Sequence, residues 1–147
     1  MRSEAFWTWF EEIAPRLREW PTMARDQTFR KMFEHLDSFV YPVSIVETGC
    51  VEESDNWAGN GCSTILFNKY IECRDDGSFV HSLELDPAKV FKAEELCSFV
   101  IFYKGDSVET LEDLGPYYNV KKIDLLYLDA SNHDWVRETT TQVHHFR

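Results

Sequence analysis

The chain has 147 residues and a formal net charge of −11 at pH 7. That length suits one domain with a proper core, and so strong a negative charge disfavours the phosphate backbones of DNA and RNA as direct partners. No uncharged apolar run approaches the ~20 residues that span a bilayer. Acids also interrupt MRSEAFWTWFEE, where a secretory signal would be apolar, so a soluble, cytoplasmic protein without a membrane partner is expected.

Phe6, Trp9, Phe10, Ile13, Leu17 and Trp20 recur at three- and four-residue steps. This spacing predicts a helix with a wide aromatic face, kinked or broken at Pro15. The WPT of residues 20–22 punctuates it, and a second helix carries Phe29, Met32, Phe33, Leu36 and Val40 on one side. Such stripes pack against a sheet more often than they bind partners. Residues 1–41 therefore read as a helical extension of a single domain, with residues 42–147 as its core.

From residue 43 the chain alternates. VSIVET (43–48) is a strand, and STILFNKYI (63–71) is a helix opened by Ser63 or Thr64 as N-cap. RDDGS turns into the strand FVHSLEL (79–85). Pro87 suits the first turn of a helix that runs to about Leu96. SFVIFY (98–103) is a third strand and KGDS a turn. Val108 to Leu114 forms a short helix, IDLLYL (123–128) a fourth strand, and DASNHDW leads into a last helical stretch through Phe146. Near-continuous apolar strands alternating with helices indicate a buried parallel sheet.

Ligands of such sheets sit beyond the carboxyl ends of the strands. The residues there are Glu47 and Gly49, Glu84 and Asp86, Gly105 and Asp106, and Asp129. An acid at every strand end suits a ligand rich in hydrogen-bond donors, such as ribose hydroxyls and amino groups, and suits phosphates badly. No GK[ST] marks a phosphate loop. No compact GxGxxG is present either, and Glu84 lies far beyond the usual ~20 residues from the first glycine of a dinucleotide site.

Cys50, Cys62, Cys73 and Cys97 show neither CxxC spacing nor a histidine at zinc-like spacing. Cys50 and Cys62 flank the loop after the first strand and could pair. Reduced, partly buried thiols are the expectation for a cytosolic chain.

VETG, the GxGxST helix start, SLELDP, GDSVETLEDL and IDLLYLDASNHDW follow one another in this order. The set resembles the class I S-adenosylmethionine (SAM)-dependent methyltransferases, in particular the small-molecule branch, over about residues 40–146. The resemblance implies an α/β doubly wound parallel sheet of Rossmann-like type with strand order 3-2-1-4. It also implies SAM as cofactor and a small-molecule methyl acceptor. By position, Glu47 and Gly49 would lie under the methionine part of SAM. Gly59 and Gly61 would continue the glycine loop, with Ser63 and Thr64 at the helix start. Glu84 would take the ribose hydroxyls, Asp106 with Ser107 would face the adenine, and Asp129 would sit near the transferred methyl. The sulfonium and ammonium groups of SAM favour such a carboxylate-lined cleft, and methyl transfer asks the protein mainly for alignment, a dry site and a base.

Plainer uses compete at several of these positions. Gly59 and Gly61 also fit a simple turn. Asp86 is the better candidate than Glu84 for capping the helix at Pro87, and Asp106 and Ser107 could cap the helix that follows them. Trp57 and Asn56 either fold over a cofactor or lie at the surface. Asp129, His133 and Asp134 suit a general base or a divalent metal, or cap the last helix. His144 and His145 divide between packing and solvent.

The chain departs from the family in two places. Nine residues, CVEESDNWA, separate Gly49 from Gly59 and expand the loop. The sequence also stops after four strands, where family members have about seven, so the last strand is expected to be an apolar edge. Two expectations follow: either these residues belong to a longer product, or another chain, such as a second copy, covers that edge. A catalytically incomplete domain that binds partners is therefore the alternative function. A nucleoside or nucleotide-sugar enzyme on the same sheet is a third.

Overall fold

A computed structural model describes residues 3–20, 23–58 and 62–129. Four strands form one parallel sheet: β3 (Ser44–Thr48), β4 (Phe79–Glu84), β5 (Val100–Lys104) and β6 (Leu125–Leu128). Their spatial order is β5-β4-β3-β6, which is the 3-2-1-4 order of a doubly wound α/β fold. Helices α1 (Glu4–Ile13), α2 (Arg25–Asp37), α3 (Ser63–Arg74), α4 (Pro87–Leu96) and α5 (Ser107–Asp113) flank it.

The order dictates which face each helix covers. The chain steps outward from β3 through β4 to β5, so right-handed crossovers put α3 and α4 on one face. It then returns past β3 to β6, which puts α5 on the other. Accordingly Ile45, Val80 and Val100 pack with α1, α2, α3 and Ala93 of α4. Val46 and Leu83, pointing the opposite way, pack with Leu111 and Leu114.

The first helix stops at Ile13 and gives way to one 3-10 turn, Ala14–Leu17, with Pro15 at its start. This is the break the proline demands. Trp20 was expected on the helical face, but the chain is already extended there. Arg18–Trp20 (β1) pairs antiparallel with Met23–Ala24 (β2), a short ladder absent from the sequence reading. Val40 was assigned to the second helix, yet α2 ends at Asp37 and Val40 is 83% exposed.

Aromatic rings join the N-terminal helices to α3. Phe33 lies 4.6 Å from Phe6 and 4.9 Å from Tyr70, centroid to centroid. Asp37 at the end of α2 accepts hydrogen bonds from Ser3 Oγ, Trp7 Nε1 and Tyr70 Oη. Arg74 is 5% exposed, and its guanidinium donates to the carbonyls of Leu36, Phe39 and Tyr41. A buried arginine is tolerable only with such dense pairing. Helices α1 and α2 thus share one core with α3 and the sheet.

The strands lie within the expected runs except that β5 extends one residue further, to Lys104. Phe99 and Leu85 are exposed and lie outside β5 and β4, and β6 starts at Leu125. Just before it, Asp124 exchanges hydrogen bonds with Ser44: its N–H donates to Ser44 O, and its carboxylate accepts from Ser44 N. Among the described residues β6 pairs with β3 alone and is an edge strand of the sheet, with Leu126 37% exposed. No described helix is long and apolar enough to cross a membrane.

Candidate functional site

The carboxyl ends of β3 and β6 mark the switch point of the sheet, the place where such folds bind ligands. The two ends are stitched together there. The Asp129 N–H donates to both the carbonyl and the hydroxyl of Thr48, each at 3.1 Å. Asp129 itself is exposed. Next to it, Gly49 turns the chain out of β3 with φ of 81°, a value that favours glycine, and its N–H donates to Leu83 O at 2.8 Å.

Glu47 lies beneath this turn with no exposure at all. Three hydroxyls surround its carboxyl. Ser63 Oγ makes a very short contact with Oε1, while Thr64 Oγ1 and Ser82 Oγ reach Oε2 at 2.7 and 2.8 Å. Burial pushes the carboxyl up to about 7; the three hydroxyls counteract this, and the nearby Asp129 charge adds to it. Ser63 and Thr64 were expected as N-caps of α3. Neither caps it: the cap position is Cys62, without a side-chain bond, and both hydroxyls are spent on Glu47. An uncompensated buried carboxyl costs more than a missing cap, so the tertiary contact wins.

Glu84 ends β4 half-buried, next to the same turn. Its Oε2 accepts from Cys50 N at 3.3 Å and its Oε1 from Asp86 N at 3.0 Å. Asp86 caps α4 through Ala88 N at 2.9 Å, which leaves Glu84 as the carboxylate facing the turn. Asp106 caps α5, accepting from the N–H groups of Val108 and Glu109 at 2.9 and 3.3 Å; Ser107 is buried in the first turn.

The expanded loop 50–58 reaches from α4 to the N-terminal segment. Val51 N donates to Thr64 Oγ1 at 2.9 Å, Glu52 pairs with Lys89 of α4, and Asp55 pairs with Arg16 beside Pro15. Trp57 is neither a surface aromatic nor a free flap. It is 7% exposed and stands edge-on to Trp9 of α1, with ring centroids 6.0 Å apart. Asn56 is exposed.

The structure therefore gathers Glu47, Gly49, Ser63, Thr64 and Glu84 around one turn, with Asp129 at its flank. Asp106 and Ser107 belong to the neighbouring strand end. Gly59, Gly61, His133, Asp134, His144 and His145 lie outside the described residues. The sequence reading missed two contributors, Ser82 and Thr48. Ser82 sits opposite Glu47 in the β3–β4 register. Polar residues interrupting the apolar runs, Ser82 inside FVHSLEL and Thr48 at the end of VSIVET, were the available signal.

Among the described residues no cluster of three or more His, Cys, Asp or Glu is placed to hold a metal ion. All four cysteines are free thiols; Cys50, Cys62 and Cys97 are buried, and burial raises each of them, Cys97 to about 12 and Cys62 to about 11. No protein-family model matches the chain, and no curated protein matches it.

Proposed function

We propose that the chain is a SAM-dependent methyltransferase, or the cofactor-binding portion of one, acting on a small-molecule acceptor in the cytoplasm. One observation carries this reading. A positive-φ glycine turn at the switch point of a 3-2-1-4 parallel sheet lies beside a half-buried carboxylate, Glu84, at the end of the next strand. Backbone can approach a ligand closely at such a glycine, and a carboxylate so placed can accept both hydroxyls of a ribose. Asp129 at the flanking strand end suits the sulfonium charge or a proton leaving the acceptor. The absence of any phosphate-loop spacing favours SAM over a nucleotide phosphate.

Titration calorimetry with SAM and S-adenosylhomocysteine tests the reading. Wild-type protein should bind both, and Glu84→Ala should bind neither comparably. A folded, monodisperse sample that binds neither contradicts it.

The exposed edge of β6 supports a second reading, in which the domain associates through that strand with another copy or partner. Light scattering across a concentration series tests it. A strict monomer that also transfers methyl groups rules it out.

A further inference from the structure

We propose that Glu47 is a proton-linked latch for the loop 50–58, keeping its proton while the loop is closed and giving it up as the loop opens. Glu47 is fully buried, and among the described residues the groups that hydrogen-bond its carboxyl are neutral hydroxyls: Ser63 on Oε1, Thr64 and Ser82 on Oε2. Hydroxyls serve either protonation state, because each can donate or accept. The asymmetry places the acid proton on Oε1, donated to Ser63 Oγ, while Thr64 and Ser82 donate to Oε2. On ionisation the proton leaves to solvent and the Ser63 hydroxyl rotates to donate to Oε1.

A bare carboxylate surrounded by three neutral donors is costly when closed off from water. Of the elements around it, the loop is the one that can yield. Strands β3 and β4 are laddered on both sides, and α3 is a 12-residue helix. The loop has no regular structure; Val51 and Trp57 anchor it in the core, while its outer ties are the Arg16–Asp55 and Glu52–Lys89 ion pairs, whose side chains are all more than a third exposed. Pairs of that kind hold weakly. The loop's link to the carboxyl is direct, because Thr64 Oγ1 donates to Glu47 and accepts from Val51 N.

The charged and titratable surroundings reinforce the direction. Asp129 at the end of β6 opposes ionisation of Glu47. Cys50 of the loop, Cys97 after α4 and Tyr127 of β6 feel the Glu47 charge and are held up by burial, so they stay neutral where Glu47 titrates. α3 presents the Ser63 and Thr64 hydroxyls, and β4 presents the Ser82 hydroxyl with the Glu84 carboxylate at its end, on the Cys50 amide. The latch is independent of the ligand: it is tested on ligand-free protein, so failure of SAM binding leaves it standing, and its failure leaves SAM binding untouched.

Carboxyl-carbon NMR on glutamate-labelled protein, with amide exchange followed on the same samples, tests it. The Glu47 carboxyl should titrate near neutrality, with the Val51 amide moving at the same midpoint. As pH rises towards that midpoint, protection of the loop amides, corrected for intrinsic exchange, should fall by up to about tenfold per pH unit, the limit for one linked proton, and should level off above it. Thr64→Ser should keep this coupling, and Thr64→Val should leave the carboxyl titrating while the Val51 amide stays still. A Glu47 carboxyl that titrates in the ordinary acidic range, or loop protection that stays flat across the pH units below its midpoint, overturns the proposal.

Discussion

Trp57, from the loop after β3, stands edge-on to Trp9 of α1, and the Arg16 guanidinium lies 5.9 Å from the Trp57 ring. The loop that borders the candidate site is therefore held by the N-terminal helices. Trp57→Ala should cost about 3–4 kcal/mol, the range for emptying a buried aromatic site. It should also raise amide exchange across residues 50–58. Urea denaturation and exchange together check this.

Glu47 makes stability depend on pH in a defined direction. Its carboxyl lies at about 7 in the folded chain, above the 4.5 of an unperturbed glutamate. The folded state therefore binds the proton more tightly. This contribution is fully present below the unfolded value and is lost as pH rises towards the folded one. The loss should amount to roughly 3 kcal/mol between the two. Glu47→Gln should remove that slope, read as the difference between wild-type and variant denaturation curves over the same pH range.

Much of the fold could be read from the sequence because local and tertiary demands agreed. The apolar runs of β3 and β4 alternate with helices, and Asp86-Pro87 marks the start of α4 by chemistry that works within a few residues. The reading failed where one side chain had two uses. Ser63 and Thr64 have the chemistry of N-caps, but their hydroxyls go to Glu47, a partner one strand away whose burial no local pattern reveals. Trp57 was left between folding over a cofactor and lying at the surface, and its cover comes from Trp9, far away in sequence. Strand ends were overextended at Leu85 and Phe99, where apolar residues remain exposed. Among the strand-end acids, Asp86 was legible as the cap of α4, and Asp106 takes the capping use that was one of its two readings.

Two neighbouring acids should separate cleanly on substitution. Asp86→Ala removes the cap on Ala88 N and should cost about 1 kcal/mol of stability, with SAM affinity unchanged. Glu84→Ala should weaken SAM binding by about tenfold or more, the worth of one lost charged hydrogen bond. Thermal melts and calorimetry on the pair of variants check both halves.

Arg74 ties α3 to the end of α2 through the carbonyls of Leu36, Phe39 and Tyr41. Arg74→Met leaves these acceptors and the Asp76 carboxylate without their donor, and it should destabilise the fold by about 3–5 kcal/mol. Urea midpoints at constant m-value would register the change.

The most direct measurement for the central claim is a titration of isotopically labelled protein with SAM, followed by backbone amide shifts. Saturable shifts concentrated at Gly49, Cys50 and Glu84, and lost in Glu84→Ala, are the predicted result. No shifts at saturating SAM, or shifts confined to residues away from the carboxyl ends of β3 and β4, would contradict it.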